Sequence, residues 1–253
     1  MRISEPFASG QSLVHSLDPR ARVVAAILLS IQIAVSYRFT TLIIGLLSSI
    51  ILVALARLNL RLVIRRLMTV VAFLVLIWVV MPLTYEGETF QQFGPIEMSR
   101  PGVILSAQIT LKTLTILMFF MSLVATMTIA TLGHALHRLR VPDKFVYLLL
   151  ITYRYLFVIQ EEYIRLRTAI KIRGFQPGTN LHSYKTYAYL IGMLFVRAAM
   201  RAERVSQAMR CRGFKGRFYS LDEDNASRGV AMFLGCITAF LFAFAYLEWF
   251  FYV

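Results

Sequence analysis

Arginine dominates the residues of this chain that could act on another molecule, and two arginines recur in one pattern. The string Ala169-Ile-Lys-Ile-Arg-Gly-Phe175 returns 39 positions later as Ala208-Met-Arg-Cys-Arg-Gly-Phe214, and an Arg precedes each Ala by four residues, at Arg165 and Arg204. On a helix, positions i, i+4 and i+8 share a face with a drift of about 40° per step. Arg165, Ala169 and Arg173 therefore form one stripe, and Arg204, Ala208 and Arg212 another. Gly174 and Gly213 stand where helices commonly end, in the left-handed cap conformation that glycine adopts without strain. Two matched helix ends, each carrying a fixed guanidinium, read as prongs that dock into a partner. Basic amphipathic helices also rest on anionic lipid. Lipid accounts for the charge but not for the recurrence at matching offsets, and two copies are too few for a solenoid.

Bond-making chemistry finds little to work with. The sequence holds no G-x-x-x-x-G-K-[ST] phosphate loop and no His-Glu-x-x-His. No carboxylate pair lies inside an apolar segment, and Glu248 sits near the end of one. Pumps and intramembrane enzymes need buried ionisable groups. Lys112 is the single candidate, set against snorkelling or pairing with a neighbouring helix. His134 and His137 share a helical face but lack a third metal ligand nearby, so they read as interfacial residues. Arg154, between Tyr153 and Tyr155, positions its helix at the interface or makes an internal ion pair. Cys211 and Cys236 match no zinc or redox spacing, and one lies in a basic helix while the other lies in an apolar span. The reading is of a chain that binds no metal or cofactor itself.

The elements that carry these residues follow from composition. Of 253 residues 58% are hydrophobic, yet Lys and Arg number 27 against 13 Asp and Glu. The two properties are segregated: apolar stretches of spanning length alternate with arginine-rich connectors. A nucleic-acid binder would spread its charge over a soluble fold and would not offer a run such as Val230–Phe244. Apolar segments cover Val23–Val35, Leu42–Ala56, Leu67–Met81 and Val103–Leu132. The first two are joined by Tyr37-Arg38-Phe39-Thr40 as a tight helical hairpin. The fourth is too long for a perpendicular span and is expected to tilt or emerge into water. A last span covers Val230–Phe251.

Charge sets the orientation. Arg20 and Arg22 precede the first span, and Arg57, Arg61, Arg65 and Arg66 separate the second from the third. Glu86, Glu88 and Glu97 dominate the loop Thr84–Pro101. The positive-inside rule puts the N-terminus and the arginine-rich loop in the cytoplasm and the acidic loop outside. Trp78 and Trp249 fall near the outer ends of their spans, as interfacial indoles do. From Glu161 to Arg217 the chain carries 12 Lys and Arg against three acids. Its one apolar stretch, Ala188–Val196, is too short to cross. This is a cytoplasmic or interfacial helical region, broken at Gly174–Asn180, and the C-terminus then lies outside. The fold class is all-α: a polytopic integral membrane protein with about five transmembrane helices and a cytoplasmic pair of coupling helices. Residues 1–132 form the first four transmembrane helices, 133–219 the coupling-helix region and 220–253 the last transmembrane helix.

At the repeated motif the chain resembles the T component, EcfT, of energy-coupling factor importers, a family with two cytoplasmic coupling helices ending in Ala-Arg-Ser or Ala-Arg-Gly triplets. The matching triplets are Ile172-Arg173-Gly174 and Cys211-Arg212-Gly213, each departing from the family at its first position. Leu17-Asp18-Pro19-Arg20, the stretch Ala135–Pro142, and Arg154-Tyr155 followed by Glu161-Glu162 resemble the cobalt and nickel branch, the CbiQ-like proteins. The resemblance covers nearly the whole chain. It implies a non-catalytic subunit of the bacterial cytoplasmic membrane that receives two ABC ATPase subunits, one per coupling helix. ATP and Mg would be handled by those partners. Arg173 and Arg212 would bond acidic groups in the ATPase grooves. Motion would pass to a separate substrate-binding membrane protein of the CbiM/CbiN kind. The competing class is a self-sufficient permease or channel with a basic docking surface, which needs a polar centre at membrane depth that the sequence barely offers.

Overall fold

The computed structural model describes residues 17–85, 89–93 and 96–214, with 12, 14, 235, 237–240 and 244 besides. These fall into two compact units, one of residues up to 135 together with those from 235 onward, the other of residues 136–214.

In the first unit four helices follow one another: α1 (Pro19–Val35), α2 (Phe39–Leu55), α3 (Leu60–Thr84) and α4 (Arg100–Leu123). Each start is written locally. Asp18 caps α1 by accepting from the Arg20 N–H at 2.9 Å, with Pro19 in the first turn, where its missing N–H costs nothing. Asn59 caps α3 through the Arg61 N–H at 3.2 Å, and Ser99 caps α4 through the Gly102 N–H at 3.1 Å. The link between α1 and α2 is Ser36–Arg38, as tight as the sequence implies. Between α3 and α4 lies a short antiparallel hairpin, β1 (Thr89–Phe93) and β2 (Ile96–Ser99), with Phe93 opposite Ile96 and a bulge between Thr89 and Gln91. The acidic composition of this stretch implies a loop, and the structure pairs part of it. It remains a small addition to an all-helical frame.

α4 is the hub against which α1, α2 and α3 all pack. The core they share gathers Ala25, Leu29 and Ile33 of α1, Leu42 of α2, and Phe119 and Leu123 of α4. Hydroxyls on α4 are satisfied within their own helix: Ser106 donates to the Gly102 carbonyl, Thr110 to Ser106 and Thr115 to Leu111, at 2.7–2.8 Å. Polar side chains can thus sit on an apolar helix without a stranded donor. Lys112, the charge in this segment, is held by α1: its Nζ donates to the Ala34 carbonyl at 2.8 Å and lies 4.5 Å from the Tyr37 ring centroid. Gln108 donates to the Tyr37 carbonyl at 2.8 Å. Both bonds occupy carbonyls at and just beyond the C-terminus of α1, where the helix leaves acceptors unfilled and favours a cation. Trp78 Nε1 donates to Thr110 Oγ1 at 2.9 Å, joining α3 to the hub.

α3 and α4 are long and apolar enough to cross a membrane, and α2 is a shorter apolar helix. On α3 Met68, Phe73, Val75, Leu76, Val79 and Leu83 are exposed, a surface that belongs in lipid rather than water. The chain is a membrane protein.

The fourth apolar segment is not one tilted helix. α4 ends at Leu123, and α5 (Ile129–Arg138) begins after a break. Two threonines account for it. Thr126 Oγ1 donates to the Ser122 and Leu123 carbonyls at 3.0 and 3.3 Å, filling acceptors at the end of α4. Thr128 Oγ1 accepts from the Thr131 N–H at 3.1 Å and caps α5. The buried Arg22 reaches this break, its guanidinium donating to Thr126 Oγ1 at 3.3 Å.

The second unit holds two long helices, α6 (Asp143–Ile172) and α7 (Leu181–Cys211), separated where Gly174–Asn180 had marked a break. The apolar Phe145–Ile159 and the charged residues after it are one continuous helix. Cys236, Glu248, Trp249 and the greater part of Val230–Phe251 lie outside the described residues, as do Glu86 and Glu88.

Candidate functional site: the capped ends of α6 and α7

Both long helices close in the same way. At the end of α6 the Arg173 N–H bonds the Ala169 carbonyl at 3.3 Å, Gly174 bonds Lys171 at 3.0 Å, and the Phe175 N–H reaches back to Ile170 at 3.2 Å. At the end of α7 Arg212 bonds Ala208 at 3.2 Å, Gly213 bonds Arg210 at 3.0 Å, and Phe214 reaches Met209 at 3.0 Å. This is the Schellman arrangement, with paired back-bonds over a left-handed residue. Gly174 has φ +81° and Gly213 φ +73°. The repeat seen in the sequence is thus one backbone device used twice. In each copy Ala supplies a carbonyl to the cap, Arg occupies the cap position, and Gly makes the turn.

The Phe that ends each copy has a role the sequence reading did not assign. Phe214 stacks on Tyr147 near the start of α6, with ring centroids 5.3 Å apart. Phe175 meets Tyr187 near the start of α7 edge-on at 5.6 Å. Each helix end is therefore pinned to the opening turns of the other helix, and α6 and α7 run antiparallel. Midway, Arg197 donates to Glu162. That bond, with the charges of Arg165 and Arg201 behind it, holds the Glu162 carboxyl below its usual range. Glu162 and Arg197 lie 35 residues apart and become partners only through the antiparallel register. The matched Phe offsets, with tyrosines at 147 and 187, were the available signal for that register.

Thirty residues of helix at 1.5 Å each put the two arginine ends about 45 Å apart, at opposite ends of the pair. Arg165, Ala169, Ile172, Arg173 and Gly174 are exposed, and so are Arg204, Ala208, Cys211, Arg212 and Gly213. Arg165 lies 4.0 Å from Glu161, one turn back on its own helix. Ile172 is 81% exposed, an apolar side chain left uncovered next to Arg173. Among the described residues the side chains of Arg173 and Arg212 make no hydrogen bond or ion pair. They are cations held by a rigid cap and available to an outside anion, in the fork geometry that matches a carboxylate.

The other candidates resolve differently. His137 Nδ1 lies 2.9 Å from Asp143 Oδ1, so its partner is the first residue of α6. His134 is half-buried on α5. Among the described residues no three His, Cys, Asp or Glu side chains come together as a metal site. Arg154 makes no ion pair among the described residues and is exposed. It lines, with Arg212, a groove of about 570 Å³ between α6 and α7.

Comparison with known proteins places the chain in a family. The CbiQ family profile, described as cobalt transport protein, matches residues 10–222. The energy-coupling factor transporter transmembrane protein EcfT of Macrococcus caseolyticus is 28% identical over 224 residues, 83% of each chain. Its namesake in Bacillus subtilis is 26% identical over 223 residues, again 83% of each chain. The cobalt transport protein CbiQ of Salmonella typhimurium is 29% identical over 129 residues, 50% of this chain and 56% of that one.

Proposed function

The chain belongs to the CbiQ family of cobalt transport proteins, and from that premise we propose that it transmits force within an energy-coupling factor importer for cobalt or nickel. It is the transmembrane component of such a transporter. In this reading the α6 and α7 ends each seat in one of two ABC ATPase subunits, which hydrolyse ATP with Mg. Arg173 and Arg212 bond acidic side chains there, and the exposed Ile172 finds apolar cover. Closure of the ATPase pair moves the two seats relative to one another. The pinned helix pair carries that motion to a separate substrate-binding membrane subunit of the CbiM/CbiN kind. The chain sits in the cytoplasmic membrane with its N-terminus inside, in keeping with the Lys and Arg asymmetry of its connectors.

One observation carries this reading: two arginines in the same cap geometry, at opposite ends of one antiparallel pair, whose side chains have no partner among the described residues. A lipid-anchoring surface does not need matched caps or a fixed separation. The metal rests on the family description, and on the Salmonella relative whose name includes cobalt.

The test is substitution with transport and complex recovery measured in parallel. Arg173→Ala and Arg212→Ala each lower ATPase recovery and uptake, and the double variant abolishes uptake while the chain still inserts. Removing one partner of a desolvated charge pair costs on the order of 2–5 kcal/mol. Lys substitutes restore part of the loss, because an ammonium does not reproduce the planar fork. Near-normal uptake by the double Lys variant would count against arginine-specific docking.

A further inference from the structure

The groove beside Arg212 has no counterpart predicted by the repeat, and it makes the two ends of the helix pair chemically unequal. We propose that Arg154 joins Arg212 in a two-guanidinium seat for an acidic side chain of the ATPase subunit at the α7 end. This rests on the docking reading above and adds a residue outside the repeated motif.

Geometry and charge carry it. The groove holds about 570 Å³ and places Arg154, from the first half of α6, and Arg212, the cap of α7, on one cavity. Leu150 and Ile151 on α6 and Val205 and Met209 on α7 supply apolar walls, and none of the described lining residues is acidic. Leu150 and Arg154 are one turn apart on the same helical face. Two like charges lining one groove repel one another, and an anion held in that groove relieves both. Neither guanidinium has an ion-pair partner among the described residues. The occupant is therefore anionic at its tip and apolar along its flank, as an acidic side chain on a docking helix is. Continuity with the Arg212 cap assigns it to the same partner.

The repeat gives the α6 end no counterpart of Arg154. Shifting Arg154 by the 39 residues that relate the two motifs lands on Met193. The proposed second guanidinium thus belongs to the α7 end and not to the repeated motif.

A double-mutant cycle on the full transporter complex tests this. In the Arg173→Ala background the complex depends on the α7 end, and Arg154→Met lowers ATPase recovery on the order of tenfold, the effect of about 1.4 kcal/mol. In the Arg212→Ala background the seat is already broken, and Arg154→Met changes recovery less than about twofold, as coupled residues do. Arg154→Lys falls between. Equal losses in both backgrounds, or no loss in the Arg173→Ala background, overturn the proposal while leaving the docking reading intact. If Arg173→Ala and Arg212→Ala are themselves silent, the docking reading fails and this one with it. The cycle is repeated in nanodiscs with and without phosphatidylglycerol. An effect of Arg154→Met that appears only with the anionic lipid assigns the groove to a headgroup and overturns the proposal. Arg154→Gln serves the same cycle if the Met variant does not insert. If neither inserts, Arg154 is required by the fold and the proposal is overturned.

Discussion

Replacing Gly174 by Ala isolates the backbone cost of the cap from any clash. A Cβ at Gly174 meets no described atom within 4 Å, so steric contact contributes nothing. What remains is φ +81°, a conformation that costs an L-residue about 1–2 kcal/mol. Against this, Ala restricts the frayed chain more than Gly does, which returns about 0.4–1 kcal/mol. The net loss is about 1 kcal/mol, roughly a fivefold rise in the frayed population of the α6 end. Hydrogen exchange reads this directly. The Gly174 N–H bond to Lys171 and the Phe175 N–H bond to Ile170 open together when the cap frays. Their amides are expected to exchange roughly fivefold faster in the Ala variant. Asn is expected to lie between Gly and Ala, since its side chain tolerates the left-handed region better. Arg57 at φ 48° and Arg140 at φ 62° show that this chain carries the same cost elsewhere. Unchanged protection in the Ala variant, or Ala and Asn variants that cannot be told apart, would refute the argument.

Other perturbations reach different parts of the molecule. Thr128→Ala removes the side-chain cap of α5 and should cost about 1 kcal/mol, seen as faster exchange at the Thr131 amide with α4 unaffected. Lys112→Met withdraws the donor from the Ala34 carbonyl and should lower thermal stability in detergent by about 1–3 kcal/mol without blocking insertion; equal or higher stability would mean the bond is not structural. The Glu162 carboxyl is depressed in the folded state, first by the hydrogen bond from Arg197. Its contribution is therefore complete above the ordinary Glu value of about 4.3 and is lost as pH falls through the lower folded value. Spin labels flanking Glu162 and Arg197 should show a local increase in distance or mobility in that acid window, and Glu162→Gln should remove its pH dependence.

The caps were legible in the sequence because they are local. The two Arg-Gly endings specify backbone geometry within a few residues, and the structure has helix boundaries at each. The break after α4 was not, because Val124, Ala125 and Met127 keep the stretch apolar while Thr126 and Thr128 divert its hydrogen bonds. Hydropathy measures transfer to lipid and is blind to where a carbonyl finds its donor. The continuity of α6 was hidden by a change of composition near Glu161, although the helical period runs straight through it. Glu162–Arg197 and the Arg154–Arg212 groove needed the antiparallel register, which no single helix contains. The repeat announced two ends; it could not say that each is pinned to the beginning of the other.

The hub position of α4 bears on how the chain is made. α1 and α2 leave the ribosome with their best packing surface still untranslated, and α3 follows in the same condition. Until Arg100–Leu123 arrives, Leu29, Ile33 and Leu42 have no Phe119 to close on, and the Ala34 and Tyr37 carbonyls wait for Lys112 and Gln108. The first three helices therefore reach the membrane with most of their shared packing surface still to come. A lysine that looks like an obstacle to threading α4 into lipid is thus the group that fills an open acceptor at the end of α1.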